Sequence, residues 1–277
     1  MSDRHDHDHD LAETLLGALD RFAADDGAAL LVALDFDGTL APLVDDPTAS
    51  RMTPAARDAV DALGATAAER VRLAFVSGRD LEDLALRAAP PVGSYLVGSH
   101  GAQTGHATSD GLEAVPLELT AEEHETLTAL RAALDEAVSG REGAWVQHKP
   151  SAAVLHTRLA GTEDTEAAVE AADAAAARLG LEAMHGKDVV EIAVLHTSKG
   201  EALERLRDVV GHDVGTGRVR VLYAGDDTTD EKAFAVLEAG DLALKVGDGD
   251  TLAPHRVAGA DDVAAVLDRL RASFGAR

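Results

Sequence analysis

The chain has 277 residues, enough to bury a substantial core as one large domain or two, and no cysteine, which excludes disulfides and thiolate chemistry. Its 50 acidic residues against 25 basic ones leave a formal net charge of −25, a field that repels nucleic acid and anionic membrane surfaces. The opening MSDRHDHDHDLAETLL is polar where a secretory signal is apolar, and no apolar run approaches the roughly 20 residues of a membrane span, so a cytoplasmic protein is expected.

Residues 1–10 read as a flexible acidic and histidine-bearing tail; His5, His7 and His9 could instead chelate a metal. The apolar run 28-AALLVAL-34 reads as a buried strand, followed by a helical pattern from Thr53 and further strands at 71–79 and 94–100. Similar units recur later: a helix beginning near Ser198, a strand at 218–227, a helix from about Asp230 and a strand at 241–247. Continuous apolar strands alternating with helices predict a doubly wound parallel sheet, an α/β core built from 11–103 and 196–277. Ligands of such sheets bind at the carboxyl ends of the strands, where the polar stretches DFD, SGR, GSH and GDD fall.

The middle has a different rhythm. A helix is expected over 120–138, with Thr120 as N-cap and Glu123 at the capping-box position, followed by strands at 144–148 and 152–158. A second helix, 162–180, ends at a glycine suited to a left-handed cap, and strands at 182–186 and 188–194 close the segment. The order αββαββ predicts a small α+β domain inserted into the core between about 104 and 195.

The chemistry begins at 33-ALDFDGTLAP-42. In an extended segment Asp35 and Asp37 point to one side and Phe36 to the other. Alone, the pair reads equally as turn or cap residues. An EF-hand is excluded, because Gly38 comes too early and Thr39 stands where a third acidic ligand belongs. A bound cation relieves the repulsion between the two carboxylates, and hard oxygen ligands suit Mg²⁺; one carboxylate could then be a nucleophile and the other handle protons. In 76-VSGRD-80, Ser77, Gly78 and nearby N–H groups could hold a phosphate. Lys199 opens a helix, where the macrodipole disfavours a cation, so an anionic partner is implied. Finally 225-GDDTTDE-231 gathers more acids than a helix N-terminus needs.

DFDGTL, SGR, the lysine and GDDTTD, in that order, resemble the haloacid dehalogenase superfamily of phosphotransferases, and the αββαββ insertion resembles its type-2 cap. The resemblance implies a phosphoaspartyl mechanism. Asp35 attacks phosphorus, Asp37 moves protons, Thr39 and Ser77 hold phosphate oxygens, and Lys199 neutralises charge. Mg²⁺ is held by Asp35, the Asp37 carbonyl and Asp226, with Asp227 and Asp230 in support. Positioning and charge neutralisation are what phosphoryl transfer asks of a protein.

The stretches 98-GSHGAQ-103, 145-WVQHKPSAAVLHTR-158 and 186-GKDVVEI-192 further resemble the trehalose-6-phosphate phosphatases. That implies substrate-binding roles for Gln103, Lys149, His156, Arg158, Lys187 and Glu191. Three of only five lysines, Lys149, Lys187 and Lys199, fall on motif positions. Read without the resemblance, His156 is a structural histidine in an apolar strand, and Arg158 and Glu191 are a cross-strand pair. His100 is read as shaping its loop. Gln103 and Gln147 stand where the family has glutamates, and Ala193-Val194 where it has Arg-Pro, which leaves the sugar open while the phosphatase chemistry is untouched. The resemblance implies a sugar phosphate substrate, a monomer and functional pairing with a trehalose-phosphate synthase. A phosphatase for another sugar phosphate, a sugar phosphomutase, and a silent sugar-phosphate sensor are the other readings. The spread of acids suits a protein working in concentrated salt, where self-repulsion is screened.

Overall fold

The structure, a computed structural model, describes residues 12–66, 70–195 and 197–275; the histidine tract of the tail lies outside them. The described chain divides into two compact units, the first running through Val115 and resuming at Thr197, the second beginning at Pro116.

In chain order the first unit contains α1 (Glu13–Ala23), β1 (Ala29–Leu34), α2 (Pro54–Thr66), β2 (Val71–Val76), α3 (Leu81–Ala88), β3 (Tyr95–Gly98), β4 (Gln103–Thr108) and β5 (Gly111–Val115). The second contains α4 (Ala121–Val138), β6 (Trp145–His148), β7 (Ala152–His156), α5 (Thr162–Leu179), β8 (Ala183–Gly186) and β9 (Val189–Ala193). The chain then returns to the first with α6 (Lys199–Val214), β10 (Val219–Gly225), α7 (Asp230–Ala235), β11 (Leu242–Val246), β12 (His255–Val257) and α8 (Ala260–Gly275).

The first unit is an eight-stranded sheet in the order β12-β11-β10-β1-β2-β3-β4-β5. Pairing is parallel from β12 to β3 and antiparallel through the β3-β4-β5 end. Strand alternation explains the unbroken apolar run of β1. Leu30, Val32 and Leu34 pack with Leu19, Val60, Val263 and Leu267 of α1, α2 and α8, while Ala29, Leu31 and Ala33 pack with Leu203, Leu206 and Phe234 of α6 and α7. With helices on both faces, no position of β1 can be polar, and every residue from Ala29 to Leu34 is buried. The first polar residue after each central strand is Asp35 after β1, Ser77 after β2 and Asp226 after β10, so three separate segments bring chemistry to one sheet end.

The expected start of the insertion at 104 is displaced to 116. Residues 103–115 form the antiparallel hairpin β4–β5 that extends the first unit's sheet, with Tyr95 paired to His106 and Thr104 to Val115. The Asp110-Gly111 turn is the hairpin's sequence signal, Gly111 taking φ 119°. Its strands lack apolar alternation because β5 is an exposed edge.

The second unit is a four-stranded antiparallel sheet in the order β6-β7-β9-β8, with α4 and α5 packed on one face through Leu127, Leu130, Leu134, Ala168, Ala172 and Ala176. Thr120 and Glu123 form the expected capping box, and Gly180 closes α5 in the left-handed conformation.

Candidate active site

After β1 the chain folds into a tight turn. Leu40 and Ala41 both donate to the Phe36 carbonyl at 2.9 Å, and Gly38 N–H donates back to the Ala41 carbonyl at 2.7 Å. Phe36 is fully buried, which turns the flanking acids toward the sheet end. Gly38 has φ 82°, and a Cβ there would lie 1.9 Å from Asp226 Oδ2, so only glycine lets the Asp226 carboxylate lie over this loop.

Asp35 is 3% exposed. Its Oδ1 accepts from Lys199 Nζ at 2.7 Å and its Oδ2 from Thr39 Oγ1 at 3.1 Å. Lys199 also donates to Asp230 Oδ1 at 2.8 Å. It starts α6, whose N-cap Ser198 accepts from Glu201 N–H, so the anionic partner that its unfavourable helix position implied is a pair of carboxylates. Burial opposes the Lys199 charge, but Asp35 and Asp230 outweigh it and hold the ammonium above its ordinary pKa.

Asp230 is fully buried and saturated. Besides Lys199, Tyr223 donates its hydroxyl to Oδ1 at 2.7 Å, and the N–H groups of Asp226 and Asp227 donate to Oδ2 at 3.0 Å each. Asp227 spends Oδ1 on Thr229 N–H and Oγ1 and on Asp230 N–H, a helix-capping arrangement for α7. Both acids organise the loop by hydrogen bonds, and Asp227 lines the cavity together with Asp35 and Asp226. Lys245, buried on β11, donates to the Asp226 carbonyl and fixes that residue from behind.

The second acid of the opening motif has a different setting. Asp37 Oδ2 accepts from Arg79 Nε at 2.5 Å, and its Oδ1 from Arg79 Nη2 and Ser50 Oγ, both at 2.7 Å. Arg79 is held in turn by Asp83 at 2.7 Å and lies over the Phe36 ring. Ser77, 2% exposed, bonds its backbone N–H to Val97 and leaves its hydroxyl beside Arg79 N–H, at 3.2 Å. Gly78 is required by packing, because a Cβ there would meet the His100 ring at 2.5 Å. His100 itself sits at φ 54°, next to Ser99 at φ 48°, in a left-handed turn at the cavity wall, in keeping with a loop-shaping role.

These groups line one cavity of about 500 Å³ that includes Asp35, Asp37, Ser77, Gly78, Lys199 and Asp226. Oxygen atoms of Asp35, Asp226 and Asp230 lie within 4.8 Å of one another. Burial, with the Asp230 and Asp227 charges, pushes the Asp226 carboxyl up to about 6; burial likewise raises Asp35 well above the usual range despite Lys199. Two buried ammonium groups, Lys199 and Lys245, do not balance Asp35, Asp226, Asp227 and Asp230. The carboxylate oxygens of Asp35 and Asp226 at this cavity are the hard donors that Mg²⁺ takes.

On the second unit, Lys149 Nζ bridges both oxygens of Glu191 at 2.9 and 3.0 Å, and His156 Nε2 lies 3.2 Å from Gln147 Oε1. Burial and the Lys149 charge hold the His156 imidazole below its ordinary pKa. Arg158 and Lys187 are exposed, the latter in the β8–β9 turn. Across the strands Glu191 lies opposite Val154, and its carboxylate pairs with Lys149. Gln103 belongs to the first unit, where its carboxamide oxygen accepts from Ser99 Oγ at 2.7 Å and Leu81 N–H at 3.2 Å. That oxygen thereby braces the His100 loop.

The family model for trehalose-phosphatases matches residues 33–255, from the strand before Asp35 to beyond Asp226, insertion included. The chain belongs to the trehalose-phosphatase family. It is 31% identical over 238 residues to the trehalose-phosphate phosphatase of Mycobacterium avium (strain 104), covering 83% of this chain and 56% of that protein. The chain thus spans rather more than half the length of such curated relatives. The fold is shared with the C-terminal domain of Candida albicans trehalose-6-phosphate phosphatase, at TM-score 0.70 and 20% identity over 95% of this chain and 98% of that one. The Aspergillus fumigatus trehalose-6-phosphate phosphatase matches at TM-score 0.67 and 24% identity over 93% and 97%. Within this trehalose-phosphatase fold, Arg79, Ser50, Tyr223 and Lys245 are the site residues that sequence reasoning passed over. Arg79 completes the SGR stretch and Lys245 is one of five lysines, so both carried a signal; Ser50 and Tyr223 carried none.

Proposed function

We propose that the chain hydrolyses trehalose 6-phosphate to trehalose and inorganic phosphate through a phosphoaspartyl intermediate. The observation that carries the reading is the buried Asp35, held by Lys199 at 2.7 Å and sharing one cavity with Asp226 and with a second, differently held carboxylate, Asp37. An Asp35 oxygen attacks phosphorus, the bond from phosphorus to the sugar oxygen breaks, and Asp37 gives that oxygen its proton. Asp37 then takes a proton from water, whose oxygen attacks phosphorus, and the bond to Asp35 breaks to release phosphate. Thr39, Ser77 and the Gly78 backbone hold the non-reacting oxygens, and Lys199 neutralises charge between Asp35 and the phosphate.

Mg²⁺ is the proposed cofactor, with Asp35, the Asp37 carbonyl and Asp226 as its ligands and Asp227 and Asp230 fixing the loop that presents them. When bound, it offsets the repulsion between the carboxylates and the incoming phosphate. Lys149, His156, Arg158, Lys187 and Glu191 are proposed to grip the sugar, because each buried hydroxyl needs a partner. A monomer working in the cytoplasm at high salt, paired with a trehalose-phosphate synthase, completes the proposal.

The test is phosphate release from trehalose 6-phosphate, sucrose 6-phosphate and glucose 6-phosphate in concentrated salt with Mg²⁺. Preference for the first, with loss in Asp35→Asn and on chelation, is expected. Activity surviving either treatment refutes the mechanism. A second reading, a different disaccharide phosphate, is favoured by Gln147, whose neutral amide gives a sugar hydroxyl a weaker bond than a carboxylate; preference for sucrose 6-phosphate would establish it.

A further inference from the structure

The sheet of the second unit buries one face under α4 and α5 through Ala153, Leu155, Val190 and Ile192. Strand alternation therefore turns Trp145, Gln147, His156 and Glu191 to the other face. The registers order them in rungs. Trp145 lies opposite His156, and Gln147, Val154 and Glu191 follow one another across the next rung. The indole stacks on the His156 imidazole with centroids 4.0 Å apart and planes at 6°. β6 is the last strand on its side of the sheet, so the indole is backed on its inner face by a second ring and is 49% exposed.

The indole, backed by the imidazole, offers a flat apolar surface to a ligand. A pyranose ring suits it: one side of the ring is a patch of C–H groups that packs on an aromatic face, while the rim carries hydroxyls that need donors and acceptors. Both are on this face. Gln147 offers an amide, and the Lys149–Glu191 pair offers a cation and a carboxylate already desolvated together. The depressed pKa of His156 keeps the backing ring neutral at neutral pH, so the stack presents no charge to an apolar sugar face. From Trp145 to Glu191 is two residues along and two strands across, about 12 Å. That is the reach of two linked rings, not one.

We propose that Trp145 is a specificity-determining residue, an aromatic platform for one pyranose ring of a disaccharide phosphate whose hydroxyls meet Gln147, Lys149 and Glu191. The proposal rests on the sugar-phosphatase reading above and deepens it. Trp145 discriminates by size. A monosaccharide phosphate satisfies the polar groups or the indole but does not span both.

Trp145 is the chain's only tryptophan, so its emission reports the subsite directly. Saturating trehalose or trehalose 6-phosphate is expected to shift that emission and protect it from acrylamide, whereas inorganic phosphate does neither. In Trp145→Ala the ratio of kcat/KM for trehalose 6-phosphate over glucose 6-phosphate falls about tenfold, mostly through KM, and Trp145→Phe recovers most of it. A structural role would lower both substrates together and leave the ratio alone. An unmoved ratio in Trp145→Ala, or emission blind to saturating disaccharide, overturns the subsite and leaves the phosphatase reading standing. Wild-type protein that ignores trehalose 6-phosphate but shows protected emission with sucrose 6-phosphate leaves the subsite standing and overturns trehalose 6-phosphate as the substrate.

Discussion

Replacing Asp226 by asparagine separates its two roles, because folding and metal binding pull in opposite directions at that carboxylate. In the metal-free protein the Asp226 carboxyl is raised from 3.8 to about 6, by burial first and by the Asp230 and Asp227 charges second. The folded state therefore binds this proton more tightly than the unfolded chain. Stability contributed by the group is full at low pH, falls as pH rises from about 4 to about 6, and is a constant penalty above that. A rise of that size corresponds to about 3 kcal/mol, and solvent screening of this partly exposed group brings the figure to about 1–1.5 kcal/mol. Without metal at about pH 7.5, Asp226→Asn is thus expected to melt higher than wild type by about 2–6 °C, the advantage vanishing below about pH 4. Adding Mg²⁺ at constant ionic strength should stabilise the wild type and not the variant, since only a site that binds the ion gains from it. Thermal melts followed by circular dichroism in EDTA, then in Mg²⁺, read both effects. A variant that melts at or below wild type in EDTA refutes the electrostatic reasoning, and equal stabilisation of both proteins by Mg²⁺ refutes the ligand assignment.

The other predictions concern the remaining charged groups. Arg79→Ala should lower kcat by about 100-fold on both a sugar phosphate and p-nitrophenyl phosphate, because the proposed Asp37 base acts on water after either group has left; an unchanged kcat on both would count against it. Arg79→Lys should not rescue, because an ammonium cannot reproduce the Nε and Nη2 fork on Asp37. The His156 resonance should titrate below about 6.5, so the stability it contributes is lost as pH falls from about 6.5 toward that lower value, and Lys149→Met should move the midpoint up; an unshifted midpoint contradicts the Lys149 contact. With a net charge of −25, the melting temperature should climb steeply from about 0.1 M to about 1 M KCl, as the Debye length falls from about 10 Å to about 3 Å; a flat profile removes the high-salt reading.

How far the sequence could be read depended on whether a residue's role is local. β1 was legible because helices on both faces force an unbroken apolar run, and β10 because its run is broken only at the half-buried Arg220; the acids and hydroxyl after each strand were legible because such sheets place ligands there. The capping box at Thr120 and the cap at Gly180 are written within a few residues of themselves. The β4–β5 hairpin was missed because an edge strand facing solvent needs no alternation, leaving only the Asp110-Gly111 turn to announce it. Partnerships were hidden where they join distant segments through chemically ordinary residues. Ser50 is one serine among several until its hydroxyl is seen 2.7 Å from Asp37, and nothing near Gln103 in the sequence points to the bonds its oxygen accepts from Leu81 and Ser99.

The two carboxylates of DFDGTL illustrate why neighbouring acids can hold separate jobs. Asp35 lies at the end of a buried strand, where desolvation raises its pKa and a single ammonium, shared with Asp230, only partly compensates. A carboxylate in that state has much to gain from a further cation, as the proposed attack on an anionic phosphate would also have. Asp37, two residues on and past the turn at Phe36, is 29% exposed in its side chain and gripped on both oxygens by a guanidinium and a hydroxyl. Its place is fixed by a fork, which suits a group that must deliver a proton to one oxygen and later collect it from another. Phe36 separates the two environments. Its burial fixes the turn, so the acids reach one cavity while answering to different partners, Asp35 to Lys199 and Asp37 to Arg79.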